Sequence, residues 1–350
     1  MQTSDVAIIG GGVIGLSLAL ELRRAGLSVT VLDKHHPGRE ASWASGGMIA
    51  HCEAGSNPVF RLLAKTSAQM YPSFVHTLQD ESDINVDFRS YGTIRFLDND
   101  DGELAEEGKS LSSEALRELE PELAYSAPAR LLPEFCVDPR LLVEGLLKAA
   151  LHRGVHVASG ADVTHLQVEE GRAVAVVTSK TRYVAEYIVN CAGAWSGQFS
   201  PVPIPTRPIK GQMLALVSDR RNLVRRVLRG NGVYIIPRSD GRIVVGSTVE
   251  DVGFDKRVNP GAIQRMHQAA AVLVPHLGES RILEDWAGLR PCTPDKLPIM
   301  GKTSLEGYFV ATGHYRDGIL LAPVTARLMS QLIFRQPPDI NFDSFSPSRF

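Results

Sequence analysis

Cysteine is scarce in this chain, four in 350 residues. Cys52, Cys136, Cys191 and Cys292 show none of the paired spacings that mark a zinc site or a disulfide framework, so reduced thiols and no structural metal are expected. No apolar run approaches the roughly 20 residues needed to cross a bilayer as a helix. Neither sign of charge is in excess: 37 Lys and Arg against 39 Asp and Glu give a net −2, which supplies no attraction for a polyanion and excludes nucleic acid as a main partner. An apolar strand pattern begins at Val6, too close to Met1 for a charged leader and cleavage site, and a cytoplasmic location is expected.

What the chain does have is glycine in one informative place. Val6-Ala-Ile-Ile-Gly-Gly-Gly-Val-Ile-Gly15 sets Gly10, Gly12 and Gly15 in the Gly-x-Gly-x-x-Gly spacing straight after an apolar run. The first glycine permits the tight turn out of a strand, the second lets backbone approach a pyrophosphate, and the third lets the next helix pack close to the sheet. That helix would direct unpaired N–H groups at the phosphates. Leu18 and Leu22 lie on its inward face, Gly26 stops it, and Val29-Thr-Val-Leu32 reads as the next strand, with Asp33 at its end for ribose hydroxyls. The run Gly38 to Met48 follows, small throughout except at its charged start, Trp43 and Met48, and lies where the rest of a dinucleotide would run. A second Gly-x-Gly-x-x-Gly is absent, which argues against a nicotinamide-dependent reductase built on two such cradles.

Further along, Asn57 to Leu78 has a helical pattern, Ile84 to Leu97 alternates like strands with a turn at Tyr91-Gly92, and Asp98 to Glu120 reads as a charged helical surface. Asp138-Pro139 caps a helix that ends at Gly154. Tyr187 to Gly193 is again an apolar strand running into a small-residue turn. Prolines 201, 203, 205 and 208 mark a crossing, after which Gln212 to Val217, Val233 to Pro237 and Arg242 to Ser247 read as strands, with an Asp240-Gly241 hairpin turn and a helix from Ala262 to Leu273. The expected architecture is α/β with α+β. A Rossmann-like dinucleotide domain (1–83, 138–205 and 285–350) is interrupted by an antiparallel-sheet domain in two segments (84–137 and 206–284).

Four stretches, Tyr234-Ile-Ile-Pro-Arg238, Gly246-Ser-Thr248, Trp286-Ala-Gly-Leu-Arg290-Pro and Gly313-His-Tyr-Arg-Asp-Gly318-Ile-Leu-Leu-Ala-Pro323, join the N-terminal fingerprint in one order along nearly the whole chain. Together they resemble the glycine oxidase and D-amino-acid oxidase family of FAD-dependent amine oxidoreductases, nearest to the glycine oxidases of thiamine thiazole synthesis. The resemblance implies non-covalent FAD, a hydroxybenzoate-hydroxylase type of FAD domain, and an antiparallel sheet roofing the flavin. By position it implies cofactor contacts from Gly10, Gly12, Val13, Ile14, Gly15, Asp33, Lys34, Ala41, Ser42, Gly46, Gly47 and Met48. Val163 would lie near the adenine, and His314, Tyr315, Arg316, Asp317, Gly318, Ile319 and Leu320 near the ring and ribityl chain. It also implies oxygen as acceptor and a homo-oligomer.

The chemistry of the residues agrees with that resemblance. A zwitterionic substrate needs its carboxylate held, and a planar guanidinium such as Arg290 can make two parallel charge-assisted bonds to it. The resemblance gives Arg290 and Tyr234 this role, with Arg316 as a second cation near substrate and flavin. The plainer readings are a core tyrosine, a structural ion pair and a cofactor-only contact. Passage of the α C–H to the flavin requires no general base if the amino group is uncharged, so none is assigned. His51 and His314 read as local hydrogen-bonding residues, and Cys292 lies too far along from Gly288 to attach a flavin. Val249 and Gly232 would widen the pocket and Ala50 would narrow it. Glycine, sarcosine and small D-amino acids are thus the expected substrates. The alternatives are a quinone- or carrier-linked D-amino-acid dehydrogenase and a flavin-binding protein without turnover.

Overall fold

A computed structural model describes residues 2–53, 57–97, 107–125, 127–220 and 222–350. Its first sheet is built on β1 (Gln2–Ile9), whose second half, Val6 to Ile9, is buried on both faces. Val6 and Ile8 point into a core shared with four helices, while Ala7 and Ile9 point into a second core beneath a hairpin. This two-sided burial explains why the strand is a continuous apolar run rather than an alternating one. β2 (Val29–Asp33) lies parallel to β1, and the parallel series continues through His156–Ser159 on one side and Arg182–Asn190 then Tyr308–Thr312 on the other. Ile299–Lys302 adds an antiparallel edge, and the hairpin Val163–Glu169 with Arg172–Thr178 leans on the first half of Arg182–Asn190.

The helical face holds α1 (Val13–Arg24), α2 (Pro58–Ser82), Pro139–His152 and Gly318–Ile333. Asn57 and Asp138 cap the second and third of these through side-chain oxygens, as their sequences predict. The last helix contains Pro323, which has no N–H to offer the carbonyl of Ile319 one turn back. The hydroxyl of the fully buried Tyr71 donates to that carbonyl instead, and Ser67 Oγ donates to the neighbouring Leu320 carbonyl at 2.6 Å. The two helices are therefore stitched together where a backbone bond is missing.

The second sheet has eight strands in the order Arg281–Cys292, Arg207–Val217, Arg242–Gly246, Val233–Pro237, Val227–Gly230, Thr93–Phe96, Ala129–Leu132, Lys109–Leu111. It is antiparallel except between Val227–Gly230 and Thr93–Phe96. Leu214, Leu216, Ile235 and Val245 pack outward on the helix Pro260–Leu273, while Met213, Ala215, Ile236, Val244 and Trp286 face the loop containing Ala44. Met48–Ile49, Phe135–Val137 and Phe88–Arg89 form a small third sheet between the two.

Several expectations need correction. Arg281–Cys292 pairs with Arg207–Val217 over its length, so the return to the first sheet follows Cys292 and does not occur at 285. The turn at Tyr91-Gly92 joins strands of two different sheets, because Phe88–Arg89 pairs with Phe135–Val137 while Thr93–Phe96 pairs elsewhere. Of the expected helical surface, 98–106 lies outside the described residues; among the described ones, Lys109–Leu111 is a strand and the helix covers Ser113–Leu119 behind a Ser112 cap. Pro208 lies inside a strand. It is tolerated because Arg242–Gly246 pairs with that strand only from Met213 onward, leaving one side of the proline without a ladder partner.

The loop from Gly38 to Met48 is gripped from the second sheet. Arg238, only 5% exposed, donates from Nη2 to the Gly46 carbonyl (2.7 Å) and from Nη1 to the Val137 carbonyl (2.9 Å). Trp286 Nε1 donates to the Ala44 carbonyl at 3.0 Å, and Gly288 is so close that a Cβ there would lie 2.4 Å from that of Ala44. Arg238→Met would leave two buried carbonyls without a donor and Asp138 with fewer positive neighbours. Urea unfolding should show a loss of about 3 kcal/mol, and a loss no larger than that of an ordinary surface substitution would contradict this account.

Candidate active site

A cavity of about 950 Å3 runs from the ends of β1 and β2, past the loop from Gly38 to Met48, to the inner face of the second sheet. At its first end the glycines act sterically. Gly10 has φ +108, and a Cβ on it would sit 2.4 Å from the Cys191 carbonyl oxygen. A Cβ on Gly15 would sit 2.0 Å from the Gly10 oxygen, so Gly15 serves helix-to-strand packing and does not line the cavity. Ser42 Oγ accepts from the Val13 N–H at 3.0 Å, docking the small-residue loop on the start of α1. Asp33 accepts from the N–H groups of Gly11 and His35, both at 2.8 Å, which holds its carboxylate at the cavity edge with further lone pairs to offer. Lys34 pairs with Asp162 at 3.5 Å on the rim, beside Val163.

At the other end lie Arg290, Tyr234, Arg316 and Ala50. Arg290 folds over Gly211, where a Cβ would be 2.2 to 2.4 Å from its guanidinium, so glycine is what lets that side chain lie flat on the sheet. Nη1 donates to the Thr248 carbonyl at 3.0 Å and Nη2 to Ser247 Oγ at 2.7 Å. Among the described residues no carboxylate lies within ion-pair distance of Arg290 or Arg316. The Tyr234 ring covers Gly246 and abuts Gly46, and among the described residues its hydroxyl meets only the Met213 sulfur, at 3.6 Å.

The remaining expected positions, Gly12, Val13, Ile14, Ala41, Ser42, Gly46, Gly47, Met48, His314, Tyr315, Asp317, Gly318 and Ile319, also line the cavity. Leu320 does not, because its side chain is buried among the helices. Gly232 and Val249 border the cavity as expected, whereas Cys292 lies away from it with its thiol on the Thr293 carbonyl.

Arg95 and Arg229 are lining residues that the sequence reading missed. They are register partners, and Arg229 is in turn opposite Tyr234. The signal for Arg229 was present. Asn231-Gly232, both at positive φ, form a two-residue hairpin turn, which places Gly230 opposite Val233 and therefore Arg229 opposite Tyr234. No comparable local signal exists for Arg95, whose neighbour is more than a hundred residues away.

His314 is buried and bonded to Thr325 Oγ1 at 3.1 Å, and desolvation pushes its pKa down to about 3. It is a neutral anchor for the last helix at working pH. Asp317, which precedes that helix, is pushed up to about 6 by desolvation, against the fields of Arg316 and Arg229.

The family model for FAD dependent oxidoreductases (DAO) matches residues 5–332. The chain belongs to that family. It is 36% identical to the bifunctional protein ThiO/ThiG of Trichormus variabilis over its whole length, but spans about half of that relative (55%). It is 33% identical to the glycine oxidase of Pseudomonas aeruginosa, with 99% of each chain covered. The crystal structure of glycine oxidase from Geobacillus kaustophilus superposes with a TM-score of 0.94 at 29% identity, covering 100% of both chains. This chain is thus an FAD-dependent oxidoreductase similar to the glycine oxidases, and the glycine-floored cavity beside the end of β1 suits a cofactor with a pyrophosphate and flat rings. Among the described residues no helix is long and apolar enough to cross a membrane.

A carboxyl whose folded pKa is raised contributes stability below its unfolded value, and that contribution is lost as pH rises through the folded one. Between pH 4 and 7 wild type should therefore lose melting temperature relative to Asp317→Asn, which carries no charge to desolvate. Parallel melting curves across that range would refute the cause assigned to Asp317.

Proposed function

We propose that this oxidoreductase removes two electrons from the α carbon of glycine or a small related amine, sarcosine or a small D-amino acid, to give an imine that water converts to an oxo acid and ammonia, or methylamine where the substrate is sarcosine. Oxygen is the proposed electron acceptor, reduced to hydrogen peroxide. The observation that carries this reading is the Arg290 guanidinium, which lines the cavity with no carboxylate partner among the described residues and is set in the same sheet as the Tyr234 hydroxyl.

In this reading Arg290 takes the substrate carboxylate through paired N–H donors, and Tyr234 adds a hydroxyl bond to it. Ser247 and the Thr248 carbonyl hold the guanidinium in place, so little ordering is left for the moment of binding. Arg316 supplies a second positive charge near the same end. Ala50 limits room beside the α carbon, while Val249 and Gly232 leave space on the roof side. Bound FAD, held by the N-terminal glycines, Ser42, Asp33, Lys34, Val163 and the segment from His314 to Ile319, supplies the two-electron acceptor. His314 is excluded as a base by its bond to Thr325 and its low pKa, and the substrate amine must lose its own proton to the medium before oxidation.

Anaerobic glycine should bleach the visible flavin band of the holoenzyme, and air should then restore it with release of peroxide. Bleaching without reoxidation by air would point to a quinone or carrier as acceptor, and no bleaching by saturating glycine would overturn the substrate assignment. Arg290→Met should raise the glycine KM by about 100-fold, the lower part of what losing one member of a charge pair costs, with FAD content unchanged. Gly211→Ala, which displaces the same guanidinium from beneath, should raise KM about tenfold. An unchanged KM in both would remove the carboxylate clamp.

A further inference from the structure

Outside the cavity, one group of His, Cys and Glu side chains converges among the described residues. His51 and Cys52 lie in the short turn His51–Glu53 that follows Ala50, and Glu107 lies just before the strand Lys109–Leu111 at the edge of the second sheet. Fifty-five residues separate Cys52 from Glu107, which is why no metal-ligand spacing shows in the sequence. His51 Nε2 is 3.8 Å from Cys52 Sγ, Cys52 Sγ is 3.5 Å from Glu107 Oε2, and Glu107 Oε2 is 4.0 Å from His51 Nε2. A point about 2.2 Å from all three atoms exists within that triangle, and zinc bonds to sulfur, nitrogen and oxygen are roughly 2.0 to 2.3 Å long.

We propose that His51, Cys52 and Glu107 form a three-ligand site for a thiophilic divalent cation, zinc foremost, with a fourth position open to water. The donor set selects the metal, since thiolate and imidazole favour zinc over magnesium or calcium. A thiolate and a carboxylate with a neutral imidazole balance the two positive charges. The Cys52 thiol lies within hydrogen-bond reach of Glu107, and metal binding sends its proton to solvent as the sulfur becomes a ligand. Lys65 holds the other oxygen of Glu107, Oε1, at 3.0 Å and so orients Oε2 toward the site. The His51 ring lies stacked against Phe135 with centroids 6.4 Å apart, which fixes the orientation of the imidazole. Occupation would tie the turn after Ala50, which borders the cavity, to the edge of the roof.

The test uses FAD-loaded, chelator-treated protein titrated with Co2+, whose ligand-field bands fall to the red of the oxidised flavin. One equivalent should give the intense bands of a tetrahedral thiolate site, Zn2+ should abolish them by displacement, and Zn2+ should raise the melting temperature by a few degrees. Cys52→Ser should remove the sulfur-dependent absorption, and Glu107→Gln, an isosteric change at a half-buried position that should not impair folding, should weaken Co2+ binding about tenfold or more. Absence of the bands in wild type, or equal Co2+ binding by wild type and Glu107→Gln, would overturn the site. Neither result bears on amine oxidation, which the flavin bleaching reads separately.

Discussion

The structure depends on how firmly one loop of small residues is held between two sheets. The loop from Gly38 to Met48 has little side chain with which to anchor itself, so its position comes from partners that reach it: Ser42 meets the first turn of α1, Trp286 takes the Ala44 carbonyl, and Arg238 takes that of Gly46. Each contact binds backbone or a short hydroxyl, which leaves the other side of the loop bare toward the cavity. A burial as complete as that of Arg238 would be costly without Asp138, whose Oδ2 lies 3.8 Å from its Nε and also accepts from Arg242 at 2.8 Å. The charge network is therefore the means by which the roof and floor of the cavity keep one spacing. Arg140 reinforces it, lying 3.7 Å from the centroid of Trp43 and 4.5 Å from that of Trp286.

Steric absence does similar work at the other end of the cavity. Gly211 makes room for a guanidinium, and Gly246 and Gly46 make room for a phenol ring. These glycines are needed because two sheets and two large polar side chains converge on one narrow space, and each would be unremarkable as a residue in its own strand. The same sheet brings Arg95, Arg229 and Arg290 to the cavity from three separate strands.

Much of this was legible in the chain, because the nucleotide cradle, its helix and the acid at Asp33 are local in sequence and each answers to a local geometric demand. Nearly all of the residues that the family resemblance named border the cavity, although they are fewer than half of its lining. The resemblance also named Leu320, whose side chain turns away from the cavity into the helices, and the pattern of the chain set a domain boundary at 285, which falls inside the strand Arg281–Cys292. Arg229 was recoverable from the Asn231-Gly232 turn, and Arg95 was not.

By itself, then, the sequence determined the α/β cradle and the order of strands and helices along most of the chain, because these follow from spacing and periodicity, while the family resemblance singled out Arg290 and Tyr234. Only the tertiary structure decided which strand edges meet, that Tyr234 stands between Arg229 and Gly246, that Arg290 has no carboxylate beside it among the described residues, and that His51, Cys52 and Glu107 converge. Those facts rest on contacts between segments tens to hundreds of residues apart, where register and packing, rather than local preference, choose each neighbour.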